Sequence, residues 1–217
     1  MNDRSRQQIA IADDFYLMAL DERTGKPRLH GHAMALGLSG ALLSELVLED
    51  LIAVKGDRLA LLSGPEVLDP VHEKMLAHIL AEPHHALNVW LSFFAQTATE
   101  AVAERLVASG SLSVETSRGL LRSKPIYVPV DLVDVTWRSL RIVQVISSRE
   151  VETWADLGLI GLLRATGLSE SVIANATTDL HANVRAIVSR LAEEPSLHAL
   201  IFQVEALIAA NVLGQRK

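Results

Sequence analysis

Residues 11–54 read IADDFYLMALDERTGKPRLHGHAMALGLSGALLSELVLEDLIAV, and this stretch decides the fold. Its first part has apolar side chains at helical spacing and ends in a turn with Gly25 and Pro27. This pattern predicts a helix over residues 8–20 and then a loop. Leucines then recur every four residues, which predicts a second helix over residues 34–50. Because that helix has little polar surface, we expect it to be central and mostly buried.

The helix over 34–50 contains two glycines and one carboxylate whose positions are informative. Gly37 and Gly40 have no Cβ, so another helix can approach closely there. Glu45 lies among leucines, and burial of a lone charge is costly. We therefore expect Glu45 either at an exposed edge or buried in an ion pair with an arginine. A structural role is favoured over that of a general acid or base.

Two short apolar runs, LIAV and RLALL, flank Lys55-Gly56-Asp57 and predict a β-hairpin over residues 51–62. A helix followed by a hairpin is also typical of a winged-helix module. The later sequence RGLLRSKPIYVP predicts a second hairpin over residues 119–129, because Ile-Tyr-Val favours a strand and Ser123-Lys124-Pro125 favours a turn.

The rest of the chain has helical patterns over residues 69–80, 86–107, 151–166, 173–192 and 196–212. No linker rich in proline, glycine, serine or like charges divides it. The fold class predicted is therefore mainly α: a compact single-domain helical bundle with two short β-hairpins, its core formed by the helices over 34–50 and 151–166. We expect residues 8–214 to form the domain, residues 1–7 a flexible N-terminus and residues 215–217 a tail.

Composition limits the function. The chain is 49% hydrophobic, carries a formal charge of -6 and has no cysteine, which excludes disulfides and thiolate metal sites and favours the cytoplasm. The apolar stretches 157–168 and 197–213 are interrupted by Arg164 and by Gln203 and Glu205, so membrane contact is expected to be peripheral. The acidic charge also argues against nucleic-acid binding.

The sequence contains no common catalytic motif, and we expect no enzyme activity, no cofactor and no metal. Histidines occur at positions 30, 32, 72, 78, 84 and 85, but the spacing of His72 and His78 does not bring their rings onto one helix face. They are expected to be ordinary surface or loop histidines. Trp90, Trp137 and Trp154 lie in helical patterns, where core packing is the usual role.

The opening stretch resembles, without a gap, the opening of the Golgi phosphoprotein 3 (GPP34) family, a helix and Gly turn followed by a G-L-x-G-x-L-x-x-E-L-x-L helix and a hairpin. The pattern falls on Gly37, Leu38, Gly40, Leu42, Glu45, Leu46 and Leu48. Residues 104–115 (ERLVASGSLSVE) and 156–168 (DLGLIGLLRATGL) are similar to later parts of that family. The resemblance covers nearly the whole chain, and the alanine-rich composition suits a prokaryotic-type member.

The resemblance implies a non-enzymatic peripheral membrane protein that binds phosphatidylinositol 4-phosphate or another anionic lipid. The family's head-group residues, one Trp and three Arg, fall here on His30, Ser39, Gln96 and Thr99, none of which matches. Losing charge-assisted contacts worth roughly 1.5–3 kcal/mol each would weaken phosphate binding by orders of magnitude. Arg23, Lys26 and Arg28 could substitute only in part.

The resemblance further implies that the second hairpin contacts a membrane or a sister subunit. We expect that contact to use Arg118, Leu120, Leu121, Arg122, Lys124, Ile126 and Tyr127, which mix cations with apolar side chains. The expected partners are thus an anionic lipid surface or a second copy of the chain. The alternatives are a winged-helix nucleic-acid-binding regulator and, less favoured, a small-molecule enzyme with a His–carboxylate site.

Overall fold

A computed structural model of the chain describes residues 10–21, 26–62, 69–116, 125–173 and 178–214. Within these ranges the helices are α1 Ile11–Met18, α2 Gly31–Leu48, α3 Pro70–Ala81, α4 Leu87–Ala108, α5 Leu132–Ser148, α6 Trp154–Ala165, α7 Leu168–Val172, α8 Thr178–Ser189 and α9 Pro195–Gly214. The strands are β1 Ile52–Lys55, β2 Arg58–Leu61, β3 Leu112–Thr116 and β4 Pro125–Pro129, in two antiparallel pairs. The predicted mainly α fold with two hairpins is confirmed.

The helix α2 is the centre of the domain, as its leucine pattern predicts. Its residues from Leu36 to Val47 are all buried, and it packs against α1, α4, α6 and α9. It is long and apolar enough to cross a bilayer, but most of its surface is already covered by the domain itself. The second predicted core helix is α6, which packs on α2 and α9 and is buried from Leu157 to Leu163.

The glycines of α2 are required by close packing. A Cβ atom on Gly37 would overlap the Phe15 ring of α1, and one on Gly40 would lie 2.7 Å from Cγ2 of Val204 on α9. Side chains cannot be that close, so a larger residue would push α1 or α9 away from α2. The prediction that these positions let neighbouring helices approach is confirmed.

The predicted helix over 173–192 is wrong at both of its ends. Ile173 is the C-cap of α7, which ends at Val172, and the described part of α8 runs from Thr178 to Ser189. The chain then forms a single 3-10 turn, Arg190–Glu193, before α9. Residues 174–177 lie outside the described part of the chain.

The first hairpin is confirmed. Ile52 pairs with Leu61 and Lys55 with Arg58, and Gly56 adopts a positive φ of 65° in the turn between the strands. The hydroxyl of Ser196 on α9 accepts a hydrogen bond from the Val54 N–H, which ties this hairpin to the last helix.

The second hairpin is wrong in its first strand. β4 pairs with β3, which begins at Leu112, and Thr116 lies opposite Pro125. Pro125 therefore belongs to a strand and not to a turn. Leu112 and Val114 alternate with polar residues, which is the pattern of a strand. The same segment is also compatible with the end of a helix. Residues 117–124 lie outside the described part of the chain.

The expectation that all three tryptophans pack in the core is correct only for Trp90. The side chain of Trp137 is 66% exposed and that of Trp154 is 38% exposed. The helix α5 buries Val135, Ile142 and Ile146 and turns Trp137 outward, while Trp154 is the first residue of α6. Helical periodicity predicts where the helices lie, but it does not predict which face of each helix packs against the rest of the domain.

Candidate functional site

The four positions that correspond to the head-group residues of the related family carry no arginine or lysine and differ in exposure. His30 is the exposed N-cap residue of α2. Ser39 is fully buried, and its hydroxyl donates a hydrogen bond of 3.0 Å to the Leu91 carbonyl of α4. On α4, Gln96 is exposed and Thr99 is half-buried. Ser39 thus joins two helices and is not available to a ligand on the surface.

The charges around these positions are acidic. Glu100 and Glu104 follow Gln96 at four-residue intervals and share its face of α4. The single Lys or Arg of this helix, Arg105, is used in a buried network described below. The Arg28 Nε–H donates a hydrogen bond of 3.1 Å to the Leu20 carbonyl oxygen. The described part of this surface therefore offers no arginine cluster in place of the missing ones.

Exposed apolar side chains occur on both α4 and the second hairpin. Val89, Phe93, Gln96 and Glu100 lie in one exposed stripe of α4, and Phe93 is 43% exposed. On the hairpin, Val114 pairs with Tyr127 and is 50% exposed, whereas Ile126 pairs with Glu115 on the opposite side of the ribbon. We call the residues Val89, Phe93, Gln96, Glu100, Val114 and Tyr127 the α4–hairpin face.

Tyr127 connects the two halves of this face. The hairpin strand β3 contacts α4, and β4 pairs with β3. Burial and the nearby carboxylates of Glu100 and Glu104 raise the pKa of the Tyr127 hydroxyl above its usual value. Of the hairpin residues predicted from the sequence, Tyr127 is on this face, and Ile126 is exposed on the other side of the ribbon. Arg118, Leu120, Leu121, Arg122 and Lys124 lie outside the described residues.

A buried network of charges lies between the first four helices. Glu45 of α2 is fully buried; its Oε1 accepts the Ala12 N–H at 2.7 Å, and both carboxylate oxygens accept hydrogen bonds from the Arg105 guanidinium at 3.2 and 3.3 Å. His72 of α3 lies 2.9 Å from Oε2 of Glu45. Arg105 also donates to Asp13 of α1 at 2.8 Å. The prediction of a buried Glu45 paired with an arginine is confirmed.

This network is structural in its geometry. Every oxygen of the Glu45 carboxylate has a hydrogen-bond partner, and the side chain has no exposed surface on which a substrate could bind. The positively charged Arg105 and the carboxylate attract each other strongly in this low-dielectric setting. Burial lowers the pKa of Arg105, but Glu45 and Asp13 outweigh burial and raise the pKa overall. The network holds α1, α3 and α4 to the central helix.

The expectation of an ordinary surface or loop histidine is wrong for His72, which is 2% exposed. Its ring bridges Glu45 and Glu49, with Nδ1 3.6 Å from Glu49. The partners lie more than twenty residues away in sequence, so spacing alone gave no signal of this role. Among the residues that the structure describes, no group of histidines and carboxylates could hold a metal ion.

Protonation of His72 is expected to make stability depend on pH. Burial lowers the pKa of His72, but its contacts with Glu45 and Glu49 outweigh burial and raise the pKa to about 9. A raised pKa in the folded state adds stability that is complete below about pH 6.5 and is lost as the pH rises through 9. Urea unfolding should therefore show a free energy that falls between about pH 6.5 and about pH 9.

The variant His72→Gln is the control for this pH dependence. It should lack most of the decline over the same window, because its side chain does not titrate. If the wild-type protein and the variant lose stability in parallel, His72 is not charged in the folded protein.

The winged-helix alternative is not supported by this geometry. A recognition helix must present side chains to a DNA groove, but the helix before the first hairpin is α2, whose residues from Leu36 to Val47 are buried. Glu49 and Asp50 at its end add negative charge beside the hairpin. Among the described residues, α2 therefore offers no recognition surface for this alternative.

The comparisons with known proteins agree with the fold. A family model described as Golgi phosphoprotein 3 (GPP34) matches residues 11–207, which include every described helix and strand except the end of α9. A search of curated proteins finds no match. The central glycine-containing helix, the two hairpins and the match over most of the length lead to one conclusion: the chain belongs to the Golgi phosphoprotein 3 (GPP34) family.

Proposed function

We propose that this protein is a cytoplasmic, non-enzymatic peripheral membrane protein that contacts the bilayer through the α4–hairpin face. The observation that carries the proposal is the exposure of Phe93 and Val114, two large apolar residues on a face shared by α4 and the hairpin. The hairpin packs against α4, but half of the Val114 surface stays exposed and needs a cover. A bilayer interface supplies one.

The charges near the hairpin support anionic lipid without a dedicated head-group pocket. The connection between β3 and β4 has the sequence SRGLLRSK, with three cations and two leucines. Each cation near an anionic surface contributes about 1 kcal/mol, and Glu100 and Glu104 oppose this attraction. Electrostatics alone would therefore give weak binding, and the apolar residues must contribute most of the affinity.

Vesicle flotation tests the proposal. The protein should float with vesicles of phosphatidylcholine and phosphatidylserine and less with phosphatidylcholine alone. Because the head-group positions hold neutral or buried side chains, phosphatidylinositol 4-phosphate should bind no better than phosphatidylserine at equal vesicle charge. Absence from both kinds of vesicle would remove the lipid function. Clear preference for the phosphoinositide would show that a head-group site exists elsewhere.

Variants locate the contact. The triple variant Arg122→Glu, Lys124→Glu and Tyr127→Ser should lose binding to anionic vesicles while its helicity stays unchanged. A matched control makes the same charge changes at Lys74→Glu and Arg185→Glu, which are exposed on α3 and α8. If the triple variant still floats and elutes at an unchanged size, the hairpin contacts neither membrane nor a second copy. Loss of self-association without any vesicle binding would favour the oligomer instead.

A further inference from the structure

An open groove of about 880 Å³ lies on another side of the molecule, between α5 and the start of α6. Residues of α1 and the end of α2 complete its lining. Its apolar lining consists of Ala10, Ile11, Leu48, Trp137, Leu140, Trp154, Ala155 and Leu159. The volume lies within the range of about 300–1,000 Å³ that is common for small-molecule sites.

Two tryptophan rings are the main feature of the groove. Trp137 and Trp154 both line it and both keep part of their surface in contact with solvent. The face of an indole ring carries negative electrostatic potential and attracts cations, and more strongly when the cation sheds little water. An exposed pair of such rings suits a soft, poorly hydrated cation.

The charged side chains of the groove have an acidic excess. Asp14 and Asp156 of the lining pair with Arg138 and Arg141, and Asp134, which does not line the groove, also pairs with Arg138. With one further lining carboxylate, the groove has three carboxylates against two guanidiniums. This excess favours a positively charged ligand and disfavours an anionic lipid surface.

A further carboxylate, Glu152, also lines the groove, is exposed and forms no ion pair with any residue the structure describes. Arg190 lines a small cleft next to Glu152, but its guanidinium is held by Glu193 and by the Val151 carbonyl. Glu152 is therefore free to attract the charge of a ligand.

We propose that this groove binds a small soluble organic cation of the quaternary ammonium class. The rings of Trp137 and Trp154 contact the cationic head, Glu152 supplies the compensating charge, and the leucines of the groove cover the methyl groups. The site is distinct from the α4–hairpin face, and its occupancy does not depend on membrane binding.

Tryptophan fluorescence tests this proposal with choline and its uncharged isostere 3,3-dimethylbutan-1-ol. Choline should change the emission in a saturable way at constant ionic strength, whereas the alcohol should not. Trp90 is buried and its contribution stays constant. The variant Trp137→Leu should raise the dissociation constant about fivefold or more, and it should fold because the side chain is exposed.

Charge variants and vesicles decide the remaining questions. Glu152→Gln should weaken choline binding several-fold, while Glu150→Gln, an equal charge change at an exposed residue outside the lining, should leave it unchanged. The proposal is overturned if choline and the alcohol act alike, if neither acts, or if the two glutamate variants behave alike. A response to phosphatidylcholine vesicles without one to free choline would overturn the assignment of a soluble ligand.

Discussion

Replacing Arg105 by Met is expected to destabilise the protein by about 3 kcal/mol or more, because it leaves buried carboxylates without their cation. Glu45 would keep His72 and the Ala12 N–H as partners, but Asp13 would lose its ion pair. Burial already raises the pKa of Asp13 in spite of Arg105, so its charge is costly at this position. Methionine fills much of the same volume, which limits any effect of a cavity.

The matched control is Arg164→Met, which breaks the ion pair between Arg164 and Glu205. Both of those side chains are about 40% exposed, so the loss should be under about 1 kcal/mol. Chemical denaturation of both variants at neutral pH measures the difference. Equal stabilities would show that the buried network does not hold the first four helices together.

Replacing Leu46 by Asp should unfold the protein altogether. Leu46 is fully buried on α2, and an aspartate there would place a charge among aliphatic side chains without a partner. Burial of an unpaired charge costs several kcal/mol, which is comparable to the whole stability of a domain. Circular dichroism should show loss of cooperative thermal unfolding.

The control for this substitution is Leu46→Met, a change of shape that keeps the position apolar and should cost less than about 1.5 kcal/mol. A cooperative transition for Leu46→Asp near the wild-type temperature would mean that α2 is not the central helix. The two variants together separate the effect of charge from that of packing.

The central helix could be predicted from the sequence because its signals are local. A leucine row, two glycines and the carboxylate of Glu45 within 34–50 indicate burial, close packing and an ion pair, and the structure contains all three. The arginine partner could not be identified, since Arg105 lies 60 residues later and no spacing rule connects the two positions. His72 was missed for the same reason.

Other features depend on which surface the tertiary structure covers. The segment that begins at Leu112 alternates apolar and polar residues as a strand does, but it also follows directly on a helical pattern. The prediction therefore began the second hairpin at residue 119, whereas its first strand begins at Leu112. The exposed face of α5 has a signal in the four-residue spacing of Val133 and Trp137. However, an apolar stripe does not reveal whether a neighbour packs on it.

This chain keeps the helices of the family but not the residues with which the family binds a lipid head group. Ser39 occupies an arginine position of the related family but is buried in the α2–α4 contact. Gln96 keeps its exposure without a charge. The helices that carry these positions are thus retained, whereas the chemistry that recognises phosphate is not present on them. The membrane contact that we propose uses apolar side chains of the scaffold and the hairpin and does not depend on these positions.

The most direct test of this account measures which surface enters the bilayer. Because the chain has no cysteine, Val114→Cys and Phe202→Cys each accept one environment-sensitive fluorophore, on the α4–hairpin face and on α9 respectively. Adding phosphatidylserine-containing vesicles should shift the emission of the Val114 label to shorter wavelength and increase its intensity, and leave the Phe202 label unchanged. An equal response at both positions, or a response at Phe202 alone, would contradict the proposed membrane face.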